Sequence, residues 1–116
     1  MTGGKGSIYI HHAPLGSEAR SDYSAYCSAR QVICVGGILG VSHRIGGGTP
    51  GSNLIVSTVY SSLTATTTKS CTSSFKGSGM EGAGALVAGA SALILSANPS
   101  LGWRDVREIF IRSSYQ

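Results

Sequence analysis

Charged residues are scarce in this 116-residue chain, because Asp, Glu, Lys and Arg together make up only 12% of it, about half the usual share. Nine basic residues exceed five acidic ones, for a formal charge of +4, but they are scattered singly, so we expect no nucleic-acid partner. Long apolar runs are also missing. The stretch from Leu86 to Leu95 is interrupted by Gly89 and Ser91 and is far shorter than the roughly 20 residues of a membrane span, so we expect none.

The chain contains three cysteines, an odd number. Cys27, Cys34 and Cys71 include no CxxC pair, and three cysteines allow at most one disulfide within the chain. No histidine stands at a zinc-ligand spacing from a cysteine, so we expect no structural metal. The residues that follow Met1 do not form a secretory-signal pattern, and the sequence assigns no compartment.

Glycine and serine are abundant, at 17 and 19 residues, and a hydrophobic share of 41% is enough for a core. Short apolar segments at 7–10, 31–35 and 54–56 predict strands, the second buried on both faces. Residues 11–28 are predicted to form a loop, 36–51 a turn-rich connection and 61–74 an exposed hairpin.

The last third predicts two helices. Residues 83–97 are rich in Ala and Leu with few charges, which is typical of a buried helix. Residues 103–114 carry Val106, Ile109 and Phe110 at amphipathic spacing, with Gly102 at the N-cap and Asp105 in the first turn. The order predicts an α/β domain with a parallel sheet. Three strands leave apolar faces of so long a helix uncovered, so the sheet is expected to be incomplete.

Three site hypotheses are weak. Gly77, Gly79 and Gly82 match GxGxxG, but the acidic strand that a dinucleotide site needs about 20 residues later is replaced by the start of another helix. The pair His11 and His12 has no carboxylate or thiol at helical spacing, which favours strand-end or loop histidines. His43, Asp22 and one serine could be combined into a catalytic triad. With 19 serines in the chain, such a combination is always available and does not indicate a protease.

A longer pattern is more specific. Residues 71–79 read CTSSFKGSG, 85–97 read ALVAGASALILSA and 97–106 read ANPSLGWRDV. These segments resemble the kexin and furin branch of the subtilisin-like serine proteases, the proprotein convertases, with their patterns C-T-x-S-F-x-G-T-S, A-x-x-A-P-L-A-A-G and A-N-P-x-L-T-W-R-D-V. Residues 4–10, GKGSIYI, resemble the family's G-x-G-S-I-Y-V strand. The resemblance identifies residues 1–116 as the C-terminal portion of a subtilase catalytic domain, with a partial subtilisin-like fold.

The family's chemistry needs an Asp, a His and a Ser in that chain order. The sequence contains no Asp-Ser-Gly, Asp-Thr-Gly or His-Gly-Thr run that would carry the Asp and the His. Aligned forward from Cys71, the nucleophile position falls on Gly79, with Ser78 before it; aligned backward from Gly89, it falls on Glu81. Neither alignment supplies a serine.

Other family features are also changed. The oxyanion-hole asparagine falls on Leu15, which cannot donate a hydrogen bond, a loss of about 2.7–4 kcal/mol of transition-state stabilisation. The proline after the serine is replaced by Ala85. The resemblance places the disulfide partner of Cys71 near Gly51, so Cys71 is expected to be unpaired. We identify no cofactor and place no ligand for the calcium that the family often binds.

These observations predict a truncated, catalytically inactive relative of the kexin-like endopeptidases. Two alternatives stay open. In the first alternative, the chain is a fragment of an active serine endopeptidase. The half that carries the Asp and the His is then missing from this chain and would be its partner. In the second alternative, the chain is a non-catalytic module that binds a peptide or protein resembling a substrate. Cleavage specificity is not predicted.

Overall fold

The computed structural model describes residues 6–14, 20–39, 50–67 and 70–114. A parallel sheet contains β1 (Tyr9–His12), β2 (Val32–Ile38) and β3 (Leu54–Val59) in the order β1-β2-β3. A separate antiparallel hairpin follows, formed by β4 (Leu63–Thr67) and β5 (Ser70–Gly77). Two helices, α1 (Met80–Ala97) and α2 (Trp103–Ser113), complete the described chain. The predicted α/β class, parallel sheet and hairpin are confirmed.

The central strand β2 is longer than its apolar segment. Residues 33–37 are all buried, and the strand continues through Gly36 and Gly37, where the sequence predicted a turn. A β-carbon at Gly36 would lie 2.4 Å from Ser57 Oγ, and one at Gly37 would lie 2.3 Å from Met80 Sδ. The turn prediction is wrong at 36–38 because these glycines allow close packing inside the sheet.

β1 lies two residues later than predicted. Tyr9 pairs with Val32 and His12 pairs with Val35, and the Ala13 N–H donates to the Val35 carbonyl at 2.8 Å. Both histidines therefore belong to the strand rather than to the predicted loop, because the hydrogen-bonded ladder with β2 decides where the strand ends.

Helix α1 begins at Met80, three residues before the predicted start, and packs on β1, β2 and β3. Its buried positions are Met80, Ala83, Val87 and Ser91, and the Ser91 hydroxyl donates to the Val87 carbonyl at 2.8 Å. The prediction of a buried helix is wrong for the opposite face, where Leu93 is 74% exposed and Leu86 44%. The described sheet covers one side of the helix only, as expected for an incomplete sheet.

Among the described residues, α1 is also the one helix that is long and apolar enough to cross a membrane. That criterion uses length and composition alone, and the core helix of a soluble protein meets it equally. The packing of α1 on three parallel strands makes it a helix of the α/β fold.

The main core lies between the sheet and the two helices. Its buried residues come from β2, α1 and α2, namely Ile33, Val35, Ala83, Val87, Val106 and Phe110. The amphipathic spacing predicted for α2 is confirmed, since Val106 and Phe110 are buried. At the start of α2 the Asp105 carboxylate accepts a hydrogen bond from the Gly102 N–H at 2.7 Å, which satisfies an otherwise unpaired donor.

A second cluster surrounds a disulfide between Cys27 and Cys34, whose Cα atoms are 5.0 Å apart. Both cysteines are buried together with Ala13 and Met80. The sequence allowed one disulfide without choosing the pair. The pair lies close because Cys34 is in β2 and Cys27 is in the turn that leads into it.

Replacing both Cys27 and Cys34 by alanine is expected to lower the free energy of unfolding by about 2–3 kcal/mol, since even a short cross-linked loop restricts the unfolded chain. Urea denaturation measures the change. Alkylation of the denatured, unreduced chain should modify one cysteine; modification of all three would contradict the disulfide.

Asp22 connects the 3₁₀ turn Ser21–Tyr23 to the segment before β3. Its carboxylate accepts hydrogen bonds from Arg20, at 2.5 Å from the guanidinium, and from the backbone N–H and hydroxyl of Ser52, at 3.0 and 3.1 Å. The bonded Arg20 side chain, and to a lesser degree Ser52, lower the pKa of Asp22 against an opposing effect of desolvation. Asp22, considered above as a member of a catalytic triad, thus links two segments of the fold.

A pKa that is lower in the folded state means that the unfolded chain binds the proton more readily, so Asp22 stabilises the fold above its ordinary pKa of about 3.9. This stabilisation is lost as the pH falls through the lower, folded-state pKa. Asp22→Asn is therefore expected to lower Tm at pH 7, and the difference from the unsubstituted chain should shrink as the pH falls below about 4 and vanish below the folded-state pKa. Thermal unfolding from pH 7 to pH 2 tests this, with Glu108→Gln as the control; a difference that persists in acid would contradict it.

Candidate active-site region

The junction between β5 and α1 contains the residues to which the nucleophile motif was aligned. β5 ends at Gly77 and α1 begins at Met80, so Ser78 and Gly79 form the connection. The Gly79 N–H donates to the Tyr60 carbonyl at 3.0 Å, which fixes the junction to the end of β3. Gly79 is the N-cap of α1, and no side chain caps the helix there.

Ser78 is exposed at this junction. Its hydroxyl oxygen accepts a hydrogen bond from the Ser62 N–H at 3.3 Å. Ser62 has a φ of 57°, a left-handed conformation that non-glycine residues adopt uncommonly. Within the described part of the chain, Ser78 has no hydrogen bond to a histidine or a carboxylate. Among those residues its hydroxyl therefore has no contact with a base of the kind that activates a nucleophilic serine.

Glu81 is exposed in the first turn of α1, with its carboxylate beside the N-cap. A β-carbon at Gly79 would lie 2.5 Å from Glu81 Oε2. The negative charge is favourable for the positive end of the helix dipole. The same charge would oppose an oxyanion that formed at this helix N-terminus.

An apolar groove of about 470 Å³ runs beside the junction. Its walls are residues 63–65 of β4, residues 77–79, and Glu81, Gly82, Ala85 and Leu86 of α1. A β-carbon at Gly82 would lie 2.2 Å from Leu63 Cδ1, so glycine at this position lets the hairpin approach the helix closely. We call this feature the β4–α1 groove.

The GxGxxG segment lies between a strand and a helix, as its pattern requires. The strand is one arm of an antiparallel hairpin, however, and residues 98–102 lead into α2 rather than into an acidic strand. The dinucleotide hypothesis therefore lacks its second strand.

The two neighbouring histidines stack on each other, and His11 also stacks on Tyr26. The His11 ring lies 5.0 Å from that of His12 and 5.1 Å from that of Tyr26. Each Nδ1 contacts the carbonyl of the next residue, at 2.6 Å for His11 and 3.0 Å for His12. No group of three or more potential metal ligands occurs among the described residues.

The described residues bring together Ser78, Gly79 and Glu81, the three positions to which the nucleophile motif pointed. Leu15, aligned to the oxyanion-hole asparagine, lies outside the described residues, as does His43. Sequence reasoning missed the β4–α1 groove. Its one sequence signal is Gly82, which follows the helix start and leaves space for the hairpin.

The model of the subtilase family matches residues 15–116. The chain belongs to the subtilase family. The predicted resemblance to the subtilisin-like family is thereby confirmed. The β5–α1 junction of this subtilase is the segment to which the family's nucleophile motif was aligned from the sequence. No curated protein matches the chain significantly.

Proposed function

We propose that this subtilase chain does not hydrolyse peptide bonds and that it belongs to the kexin and furin branch of the family. The observation that carries the first part is the β5–α1 junction, where both alignments of the nucleophile motif place a residue without a hydroxyl group, Gly79 or Glu81. The sequence also lacks the runs that would carry the catalytic Asp and His.

Ser78 is the nearest hydroxyl to the aligned position, and its surroundings support the proposal. A serine nucleophile needs a base within hydrogen-bond reach to take its proton. In the described structure, the hydrogen bond at Ser78 is donated by the Ser62 N–H, and the serine oxygen is the acceptor. Among the described residues, no histidine or carboxylate accepts a hydrogen bond from the Ser78 hydroxyl.

The charge of Glu81 supports the proposal independently. Acyl transfer develops negative charge on the substrate oxygen, and loss of one oxyanion donor typically lowers kcat by about 10²–10³. A carboxylate beside Gly79 adds repulsion where the helix N-terminus would otherwise stabilise that charge.

The kexin and furin assignment rests on the run at 97–106. Two of its residues have structural roles: Asn98 Oδ1 accepts a hydrogen bond from the Ser100 N–H at 3.0 Å, and Asp105 accepts one from Gly102. The run therefore specifies the connection between α1 and α2. The presence of this run beside an altered nucleophile motif is consistent with a relative of these proteases that has the packing residues of the family but not its catalytic residues.

A fluorophosphonate reagent tests the inactivity, because it labels an activated serine. We expect the folded chain, checked by circular dichroism, to show no mass increase while an active subtilase in a parallel reaction is labelled. The Ser78→Ala variant is the matched control for any background reaction. An adduct mapped to Ser78 would overturn the proposal.

The exposed face of α1 favours a second candidate, in which the chain is the C-terminal half of an active endopeptidase. Leu93 and Leu86 on that face are 74% and 44% exposed, which suits a helix that another part of a larger domain would cover. Transcript sequencing upstream of the Met1 codon tests this candidate. It predicts an open reading frame that encodes both the Asp and the His motifs, and a stop codon in frame would contradict it.

A further inference from the structure

We propose that His11 and His12, at the end of β1, form a two-histidine site for a late transition-metal ion of the class of Cu²⁺, Ni²⁺ and Zn²⁺. The inference goes beyond the proposed function, because neither histidine belongs to the nucleophile motif. It depends on the ring nitrogens that the fold leaves free and on the stacking that holds the two rings together.

The hydrogen bonds of both rings decide where their protons lie. His11 Nδ1 is 2.6 Å from the His12 carbonyl oxygen, and His12 Nδ1 is 3.0 Å from the Ala13 carbonyl oxygen. A carbonyl oxygen can only accept a hydrogen bond, so each Nδ1 carries the proton. In a neutral imidazole the other nitrogen, Nε2, then has a free lone pair that can bind a metal ion.

Backbone carbonyls are a common second contact of metal-binding histidines. A histidine ligand usually donates its other ring N–H to a carbonyl or a carboxylate, which orients the ring and makes the ligating nitrogen more basic. His11 and His12 both make such a contact through Nδ1. Among the described residues, no hydrogen bond is made by Nε2 of either ring. Both rings therefore have the arrangement of a ligand before any ion is bound.

Ring stacking holds the two imidazoles side by side. Their centroids are 5.0 Å apart, and their planes are 19° from parallel. An ion at about 2.0–2.1 Å from each imidazole nitrogen joins two nitrogens that are about 3–4 Å apart. We expect a tilt of the rings about their side-chain bonds to bring the two Nε2 atoms to that separation, so that one ion binds both.

Tyr26 and the disulfide limit how far the His11 ring can turn. The Tyr26 ring stacks on His11 with centroids 5.1 Å apart and planes 9° from parallel. Tyr26 precedes Cys27, which is bonded to Cys34, and Cys34 pairs with His11 in the parallel sheet. The disulfide therefore keeps Tyr26 beside His11, and a side chain that is already ordered loses less entropy on binding.

The place of the pair in the fold suits a ligand. β1 ends at His12, and ligands of open α/β sheets bind beyond the carboxyl ends of the strands. Both histidines are half-buried, so an ion that keeps water molecules in its other coordination positions can reach them. Imidazole nitrogen favours Cu²⁺, Ni²⁺ and Zn²⁺, whereas Ca²⁺ and Mg²⁺ take oxygen ligands.

The test is a Zn²⁺ titration of the folded, ¹⁵N-labelled chain, followed through the imidazole nitrogens by NMR. All samples carry Cys71→Ser, which removes the one thiol outside the disulfide as a competing ligand. Without metal, we expect the proton of both rings on Nδ1. Zn²⁺ should then shift the Nε2 resonances of His11 and His12, and Ca²⁺ at the same concentration should not.

Variants and calorimetry identify the ligands. His11→Asn and His12→Asn should each weaken Zn²⁺ binding by at least about tenfold, since loss of even an outer-shell partner of a metal ligand costs that much. The matched control is His43→Asn, which replaces the third histidine of the chain and should leave the affinity unchanged. Cu²⁺ should bind more tightly than Ni²⁺ or Zn²⁺.

Four outcomes would overturn the site. They are a proton on Nε2 of either ring in the metal-free chain, unshifted Nε2 resonances at millimolar Zn²⁺, equal binding of Ca²⁺, and an equal loss of affinity in the His43 variant. If the Asn variants do not fold, the Nε2 resonances of the chain with both histidines decide the question by themselves. None of these measurements involves Ser78, so the proposed inactivity is tested separately by the fluorophosphonate reaction.

Discussion

Replacing Phe110 by alanine is expected to lower the free energy of unfolding by about 3–4 kcal/mol. The ring is 8% exposed and packs in the main core with Val106 of the same helix and with residues of β2 and α1. Its removal deletes apolar contact area and leaves a cavity at the place where α2 joins the core. A domain of this size has a total stability of about 5–15 kcal/mol, so one substitution removes a large share.

Urea denaturation followed by circular dichroism measures the effect. The matched control is Ile111→Ala on the same helix, where the side chain is 42% exposed and the expected cost is below about 1 kcal/mol. Phe110→Leu keeps much of the volume and provides a milder variant if the alanine variant does not fold. Equal costs at positions 110 and 111 would contradict the described packing of α2.

Replacing Met80 by alanine is expected to cost about 3 kcal/mol and to disturb the β5–α1 junction. Met80 is fully buried in the cluster that holds the disulfide, and its sulfur lies where a β-carbon of Gly37 would be. It therefore anchors the first turn of α1 on β2. The junction residues Ser78 and Gly79 come directly before this anchor.

The control for Met80 is Leu93→Ala, at a position of α1 that is 74% exposed. Alanine and leucine both favour helices, so this change is expected to alter stability by no more than about 0.5 kcal/mol. Met80→Leu conserves volume and should cost less than about 1.5 kcal/mol. A larger loss for Leu93→Ala than for Met80→Ala would show that the opposite face of α1 is the buried one.

The sequence predicted the strands and helices better than the residues at which they begin and end. Glycine explains most of the differences between the predicted and the observed bounds. Gly36 and Gly37 resemble the start of a turn, yet they lie in β2 because Ser57 and Met80 pack where their side chains would be. Gly82 similarly concealed the first turn of α1, since its role is to admit Leu63. Local propensity cannot reveal a contact that another element makes.

The burial of α1 could not be predicted for a similar reason. Composition shows that the helix is apolar on all sides, but exposure depends on how many other elements surround it. One side meets β1, β2 and β3, and Leu86 and Leu93 lie on the other. The aligned motif pointed to Ser78, Gly79 and Glu81, which lie at the β5–α1 junction. The groove beside it arises from hairpin packing that no single segment encodes.

The order of elements along the chain has a consequence for synthesis. All three strands of the parallel sheet precede α1, the helix that packs on them. At roughly 5–20 residues per second, a ribosome needs about one to four seconds to make the 18 residues of α1. During that interval the completed strands have unpaired edges and an uncovered apolar face, the kind of surface that chaperones protect from aggregation.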